Sequence, residues 1–484
     1  MRLYVVIRYV AFALLLNALF MAISTSIAVF YHDSSFMPLL YSTLVTALFG
    51  FFPLIFIPPT SHISNKEGLS IVVLSWLLSC LVGTIPYILW GGVFTFTNAW
   101  FESVSGFTTT GSTILVDIET LPFGLLFWRS ATHWIGGIGI IIFVLSVLPF
   151  LGEAEVVLFR SEVSTVVKKN FHYRARGAIH ILAGVYLGLT ILETMSLLLA
   201  GMNLFDALTH SFATVATGGF SPKNNSIAYY NNSIIETIII IFMIFSGIHF
   251  GLLFSVASGN IKNLLKSTVV KYYVFALFLG VLISTINIHG IQYHSWPDSL
   301  RFAAFQIVSI GTSTGFATTD TSVWPPLSQL LIIFFALQCA CSGSTSGGIK
   351  VDRIVILWKS FIRHIKKLMH PNAVITVRLE NESIREDLVS NITLYIMVYL
   401  LIVLVSTFLL SALNVDMLSS FSGTVATMGN VGPGLGSVGS TGNFNHIPDM
   451  GKWILTMTML LGRLEIYAIF IFFMPGQWRK TISY

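Results

Sequence analysis

The chain has 484 residues, of which 55% are hydrophobic and only 10% charged, and its mean hydropathy is +0.81. Such a composition argues against soluble globular domains and against nucleic-acid binding, and describes an integral membrane protein whose formal net charge of +5 reports topology. Cys80, Cys339 and Cys341 all lie in apolar stretches, so they build neither a disulfide framework nor a four-ligand metal site.

Apolar runs near the ~20 residues needed to cross ~30 Å of hydrocarbon lie at about 8–30, 37–57, 69–92, 123–148, 177–200, 233–257, 271–288, 326–341, 388–412 and 452–473. They predict about ten transmembrane helices. The first run follows Met1-Arg2, but it is long for a signal peptide and a second apolar run follows at once, so it is read as a helix. With the N-terminus inside, 21 of the 26 basic residues fall on inner segments. Among them are Arg160, Lys168, Lys169, Arg174 and Arg176 in 151–177, eight in 350–388, and Arg479 and Lys480. Arg129, Lys223, Arg301 and Lys452 fall outside, and Arg463 falls within a span. This bias predicts that both termini are cytoplasmic. Ten acids fall outside against those four bases, which reads either as a cation-concentrating mouth or as a solvated surface.

Four outside-facing stretches share a short core. They are Phe107-Thr108-Thr109-Thr110-Gly111-Ser112-Thr113, Ala216-Thr217-Gly218-Gly219-Phe220, Ser313-Thr314-Gly315-Phe316-Ala317 and a degenerate Asn430-Val431-Gly432-Pro433-Gly434. Aligned on Gly111, Gly218, Gly315 and Gly432, they recur at intervals of 107, 97 and 117 residues. Ahead of each lies a short amphipathic segment (97–107, 204–214, 298–310, 416–427), with Asn98, Asn203, Ser299 and Asp416 as N-cap candidates. These segments are too short to span and read as re-entrant pore helices. Non-helical backbone survives at membrane depth only where protein or water satisfies it, and four glycine-bearing strands around one axis can replace an ion's hydration shell with carbonyls. The fourth strand lacks the preceding Thr, and Pro433-Gly434-Leu435-Gly436 leaves its register open. The ring should pass K+, Rb+ and NH4+ and disfavour Na+, but with only one aligned glycine per strand it should do so less stringently than a Thr-Val-Gly-Tyr-Gly potassium-channel filter.

The eighth run breaks at Cys341-Ser342-Gly343-Ser344-Thr345-Ser346-Gly347-Gly348 and resumes at Ile349-Lys350. So many glycines and hydroxyls do not make a lipid-facing helix. A phosphate-binding loop would need a Gly-Lys-Ser/Thr ending that is missing, which leaves an interhelical turn or an intramembrane loop. Arg463, midway along the last apolar run, needs a partner or water, because arginine there costs ~2.5–3.5 kcal/mol on insertion scales. Glu465 is two residues away and does not face the same way on a helix. Glu193, the other acid within a span, reads as a structural pairing residue, with proton coupling as the alternative. His133 reads as a packed, hydrogen-bonded residue; a His133–Ser344 protease pair lacks a third orienting group.

These motifs resemble the TrkH/TrkG members of the Trk/Ktr/HKT potassium transporter superfamily. The likeness rests on Phe107 to Ser112, His133-Trp134-Ile135-Gly136-Gly137-Ile138-Gly139, Ala213 to Ser221, Gly347-Gly348-Ile349-Lys350-Val351-Asp352-Arg353 and Gly462-Arg463-Leu464-Glu465. It implies an all-α membrane fold, four helix–pore loop–helix repeats around one pseudo-fourfold pore (61–150, 151–258, 259–370 and 371–484) and an N-terminal helix pair at 1–60. By this resemblance Thr110/Gly111, Thr217/Gly218, Thr314/Gly315 and Val431/Gly432 line a potassium filter, and Gly111, where sodium-carrying relatives have serine, favours potassium. Ser342, Gly343, Ser344, Thr345, Ser346, Gly347 and Gly348, with Lys350 and Arg463, then form a gate beneath it. The resemblance further implies a bacterial inner-membrane homodimer, one pore per protomer, docked on a cytoplasmic TrkA-type ring that binds NAD or ATP. The chain has no Gly-x-Gly-x-x-Gly after a strand, so no cofactor is expected within it. A K+/H+ or K+/Na+ symporter on the same fold is the alternative, although four like-oriented units differ from the inverted repeats usual in alternating-access carriers. A membrane enzyme is not supported by any convergent nucleophile and base.

Overall fold

The computed structural model describes residues 1–60, 63–147, 171–379 and 382–474. Arg160, Lys168, Lys169, Arg479 and Lys480 lie outside the described residues, as do the side chains of Arg174 and Arg176. Two apolar helices, α1 (Leu3–Phe30) and α2 (Phe36–Phe56), pack along each other at the N-terminus.

From there one pattern recurs four times: a long helix, a short buried helix and a returning helix. The first copy is α3 (Asn65–Trp90), α4 (Phe96–Phe107) and α5 (Phe123–Val147). The second is α6 (Phe171–Leu199), α7 (Leu204–Val215), and α8 (Ser233–Ser246) continued by α9 (Phe250–Ala257). After a short α10 (Ile261–Lys266) comes the third: α11 (Thr268–Ile288), α12 (Trp296–Gly311), and α13 (Pro326–Gln338) continued beyond a loop by α14 (Val351–Met369). A hairpin of β1 (Val377–Leu379) and β2 (Glu382–Ile384), with Val377 opposite Ile384, is a small departure from an all-α chain. The fourth copy is α15 (Glu386–Ala412), α16 (Met417–Met428), and α17 (Asp449–Arg463) continued by α18 (Ile466–Phe473).

Local chemistry starts the short helices. Asn203 and Asp416 cap α7 and α16 by accepting from the N–H of Asp206 and Ser419, as their positions suggest. The other two candidates sit inside their helices. Thr95 caps α4, leaving Asn98 to donate to the carbonyl of Val93, and Ser299 bonds back to the carbonyl of Ser295 within α12.

Among the described residues, six helices are long and apolar enough to cross a membrane. Two of the ten apolar runs are bent helix pairs, and a third, at 326–341, holds only the 13-residue α13. The run at 233–257 bends by 108° between α8 and α9, and the run at 452–473 by 109° between α17 and α18. Their apolar composition conceals breaks that tertiary hydrogen bonds make tolerable. The packing suits lipid: α2, α11 and α15 expose Leu48, Phe275 and Phe408, while the short helices bury nearly all their Ser and Thr at the centre.

Candidate functional site

The four short helices end in the same way. The N–H groups of Thr109, Thr217, Ser313 and Asn430 bond back to the carbonyls of Gly106, Thr214, Ile310 and Thr427 at 2.9–3.2 Å. The next N–H groups, of Thr110, Gly218, Thr314 and Val431, reach Ser105, Ala213, Ser309 and Ala426 at 2.7–2.9 Å. This paired closure forces the residue after the cap into the left-handed region. Thr109, Thr217, Ser313 and Asn430 accordingly have φ of +51°, +54°, +58° and +52°, which is strained backbone for threonine. Two residues further on, Gly111, Gly219, Gly315 and Gly432 have φ of +83°, +80°, +82° and +99°.

These equivalences correct one register. Gly219, not Gly218, matches Gly111, Gly315 and Gly432. Gly218 matches Thr110, Thr314 and Val431, and Thr217 matches Thr109. Two adjacent glycines hid the shift; the Gly-Phe pair common to Gly219-Phe220 and Gly315-Phe316 is the sequence signal that reveals it. The fourth strand, whose register was open, aligns at Val431-Gly432.

The strands close on one another in chain order. A Cβ on Gly111 would collide with the carbonyl oxygen of Gly218, one on Gly219 with that of Thr314, and one on Gly315 with that of Val431. On Gly432 it would lie 2.7 Å from the oxygen of Thr110. Glycine is therefore required at each position both for φ and for the close approach of the next strand. The carbonyls of Thr110, Gly218, Thr314 and Val431 stand side by side, backed by the negative C-terminal ends of α4, α7, α12 and α16.

All four glycines line one open vestibule. Its charged lining is Arg129 and Lys223, and no described carboxylate faces it. Six of the ten acids expected at a negative mouth have other partners. Arg129, Lys223, Arg301 and Lys452 meet Glu102, Asp206, Glu236 and Asp449 at 2.6, 3.8, 2.7 and 3.8 Å. Asp320 and Asp416 accept backbone N–H groups.

At the other end of the strands lies the 342–348 loop. Thr345 donates to the carbonyl of Val215 at the end of α7 (3.0 Å), and Gly347 N–H donates to the Ser313 hydroxyl (3.2 Å). A Cβ on Gly347 would come within 2.6 Å of Gly429 O and Asn430 Oδ1, so glycine lets the loop seat against the fourth strand. Positive φ at Cys339, Gly343 and Gly348 turns the chain in and out. Ser344 bonds Cys341 O and the Ser346 hydroxyl, while Asp352 accepts from the N–H and hydroxyl of Ser342.

The loop also explains the bent helices. Cys341 N–H donates to Gly247 O, and Gly343 O accepts from Phe250 N–H, so the loop satisfies backbone groups freed at the α8–α9 break. His249 caps α9 by accepting from Gly251 N–H (2.9 Å). At the α17–α18 break, Arg463 ends its helix instead of lying midway along a span. Buried, it donates to the carbonyls of Thr345 in the loop and Gly136 in α5. Glu465, beyond the break with φ +62°, turns away to bind Arg353 at 2.8 Å. Lys350 is buried within electrostatic reach of Glu465, Arg353, Asp352 and Arg463. Gly219, Asn430, Asp352 and the Gly247–His249 break were missed from sequence; the Gly-Ile-His-Phe-Gly stretch at 247–251 was the available signal.

Glu193 is fully buried beside Thr214, whose hydroxyl is given to His210 O. Neither Glu193 oxygen has a hydrogen-bond partner among the described residues, so the expected pairing residue is not found. His133 is packed and doubly bonded as expected, between Gly106 O and Phe220 N–H, which excludes a pairing with Ser344.

The family model described as TrkH, a cation transport protein, matches residues 58–478. The Trk system potassium uptake protein TrkH of Escherichia coli strain K12 is 39% identical over 424 residues, covering 87% of this chain and 87% of its own length. TrkH of Vibrio parahaemolyticus is 34% identical over 98% of this chain and 99% of its own. The crystal structure of the potassium transporter TrkH from Vibrio parahaemolyticus superposes with a TM-score of 0.90 at 33% identity, covering 99% of this chain and all of that one. The chain belongs to the TrkH family of cation transport proteins, multi-pass membrane transporters rather than enzymes.

Proposed function

We propose that this chain conducts K+ through the four-strand ring, in a channel-like manner, with the 342–348 loop and Arg463 as the gate below it. The observation that carries this reading is the ring itself: four carbonyls brought together by four glycines whose geometry tolerates no other residue. Carbonyls of Thr110, Gly218, Thr314 and Val431 substitute for part of the ion's hydration shell. The buried dipoles of the four short helices favour a cation there. K+ and Rb+ pass, and smaller, more strongly hydrated Na+ is disfavoured. The seated loop obstructs the exit, and the Arg463 guanidinium adds a positive barrier. Both termini are cytoplasmic, and the basic inner segment at 350–388 docks a TrkA-type nucleotide-binding ring that moves the loop. The working unit is a homodimer with one pore per protomer in the bacterial inner membrane.

A second reading, K+/H+ symport, draws on Glu193, a buried carboxyl with no hydrogen-bond partner among the described residues. Rb+ uptake in a host lacking potassium transport separates the two. The channel reading expects rescue that persists when the proton gradient is collapsed but the membrane potential is kept. Strict dependence on the proton gradient favours symport, and absence of any rescue rejects both.

A further inference from the structure

The four junctions of the ring are not built alike. Strands four and one meet through neutral groups: Ser112 donates to Gly432 O (2.9 Å) and Asn430 Nδ2 to the Thr110 hydroxyl (3.0 Å). Strands two and three are tied by Ala228 N–H to Ala317 O and by Ala317 N–H to the Ser226 hydroxyl, both at 3.2 Å. Strands three and four share the Ser440 hydroxyl, which donates to Thr319 O and accepts from Thr321 N–H, both at 3.1 Å. Between strands one and two, by contrast, fully buried charged side chains grip the backbone.

Two residues of α5, Arg129 and His133, lie four apart and so share one helix face. Arg129 Nε donates to Glu102 Oε1 at 2.6 Å, its Nη1 donates to Ser221 O at 3.0 Å, and its guanidinium lies 3.6 Å from the centroid of the Phe220 ring. Glu102 in turn accepts from the Thr113 hydroxyl (2.9 and 3.0 Å) and from Ile114 N–H (3.1 Å). One ion pair thus joins strand one, just past Gly111, to strand two, just past Gly219. His133 makes a parallel link one turn deeper, from the last turn of α4, which leads into strand one, to strand two. Its Nε2 accepts from Phe220 N–H (3.2 Å), which leaves Nδ1 to carry the proton and donate to Gly106 O (2.9 Å). A Cβ on Gly218 would lie 2.5 Å from this imidazole, so the imidazole packs directly against the Cα of a strand-two residue whose carbonyl is in the ring.

Such a pair is a poor investment in stability, since buried ion pairs are commonly matched by apolar residues of similar volume. What the arrangement supplies is position, because the guanidinium fork and the two imidazole nitrogens fix donors and acceptors at set angles. We propose that Glu102, Arg129 and His133 are selectivity-setting positioning residues. They hold the first and second strands at a fixed separation, and with it the size of cation the ring accepts, without touching the ion. This rests on the reading of the ring as the potassium filter.

The test is the K+/Na+ permeability ratio of the purified full-length protein in planar bilayers, with each variant first checked by its elution profile and melting temperature. The double variant Glu102→Leu/Arg129→Met should fold like the parent, yet lower the ratio at least about fivefold, equivalent to ~1 kcal/mol of discrimination. His133→Leu should do the same, whereas His133→Gln, which keeps a donor and an acceptor, should remain within about twofold, or ~0.4 kcal/mol. A parent that discriminates while the folded double variant and His133→Leu keep its ratio overturns the proposal. If the double variant does not fold, the contrast between His133→Leu and His133→Gln decides, and equal ratios overturn it. A parent with no discrimination refutes the filter reading instead.

Discussion

Alanine at Gly315 should abolish selective Rb+ uptake while leaving the protein in the membrane. Gly315 has φ +82°, where an L-residue costs ~1–2 kcal/mol. The larger effect is steric. The added methyl would collide with Val431 O and lie 2.9 Å from Pro433 Cδ, a backbone oxygen and a ring that no rotamer change can move aside. Strand three or strand four must shift, and because each strand rests on the next, the displacement reaches all four carbonyls. Uptake per unit of folded protein should fall more than about tenfold, since ~1.4 kcal/mol added to the barrier already gives that factor. Gly188→Ala in α6, where a Cβ meets nothing within 4 Å, should behave like the parent in the same assay. Equal loss in both, or parental uptake by Gly315→Ala, would contradict the ring as the conduction path.

Arg463→Ala should act in the opposite direction and raise cation flux. The guanidinium ties the loop at Thr345 O to α5 at Gly136 O, and hydrogen bonds to a charged group are worth ~1.5–3 kcal/mol each. Removing the tie to the loop biases it away from the seated position, and removing the charge lowers the barrier below the ring. Rb+ uptake into proteoliposomes without any cytoplasmic partner should rise about tenfold or more, the factor that ~1.4 kcal/mol supplies. Unchanged uptake at equal amounts of folded protein would count against Arg463 as a barrier.

Much of this was legible in the residues. The four glycine-bearing stretches, the short helices before them and the Ser342–Gly348 interruption all break an otherwise lipid-soluble composition, and lipid leaves little freedom in where such segments go. What stayed hidden depends on contacts distant in sequence. Gly218 and Gly219 are chemically identical, and only backbone φ with the carbonyl of Thr314 distinguishes them. The breaks at Gly247 and Leu464 lie in runs that remain apolar; the loop meets backbone groups freed at the first, and Arg353 pairs with the Glu465 carboxylate beside the second. Counting charges groups the acids expected at the mouth, but it does not reveal that Glu102 and Glu236 are committed to Arg129 and Arg301.

The caps followed the same division. Asn203 and Asp416 directly precede their helices and were readable, whereas Asn98 lies in the first turn of α4 and is drawn to Val93 O and, through Lys452, to α17. Local propensity thus located the helices, and tertiary contacts decided what each polar side chain does.

The central claim is that the four-strand ring selects K+, and the measurement closest to it is the reversal potential of the purified protein in a planar bilayer with K+ on one side and Na+ on the other. The ring predicts a potential displaced toward the K+ equilibrium value, with Rb+ able to replace K+ at little change. A reversal potential near zero under those bi-ionic conditions would contradict it.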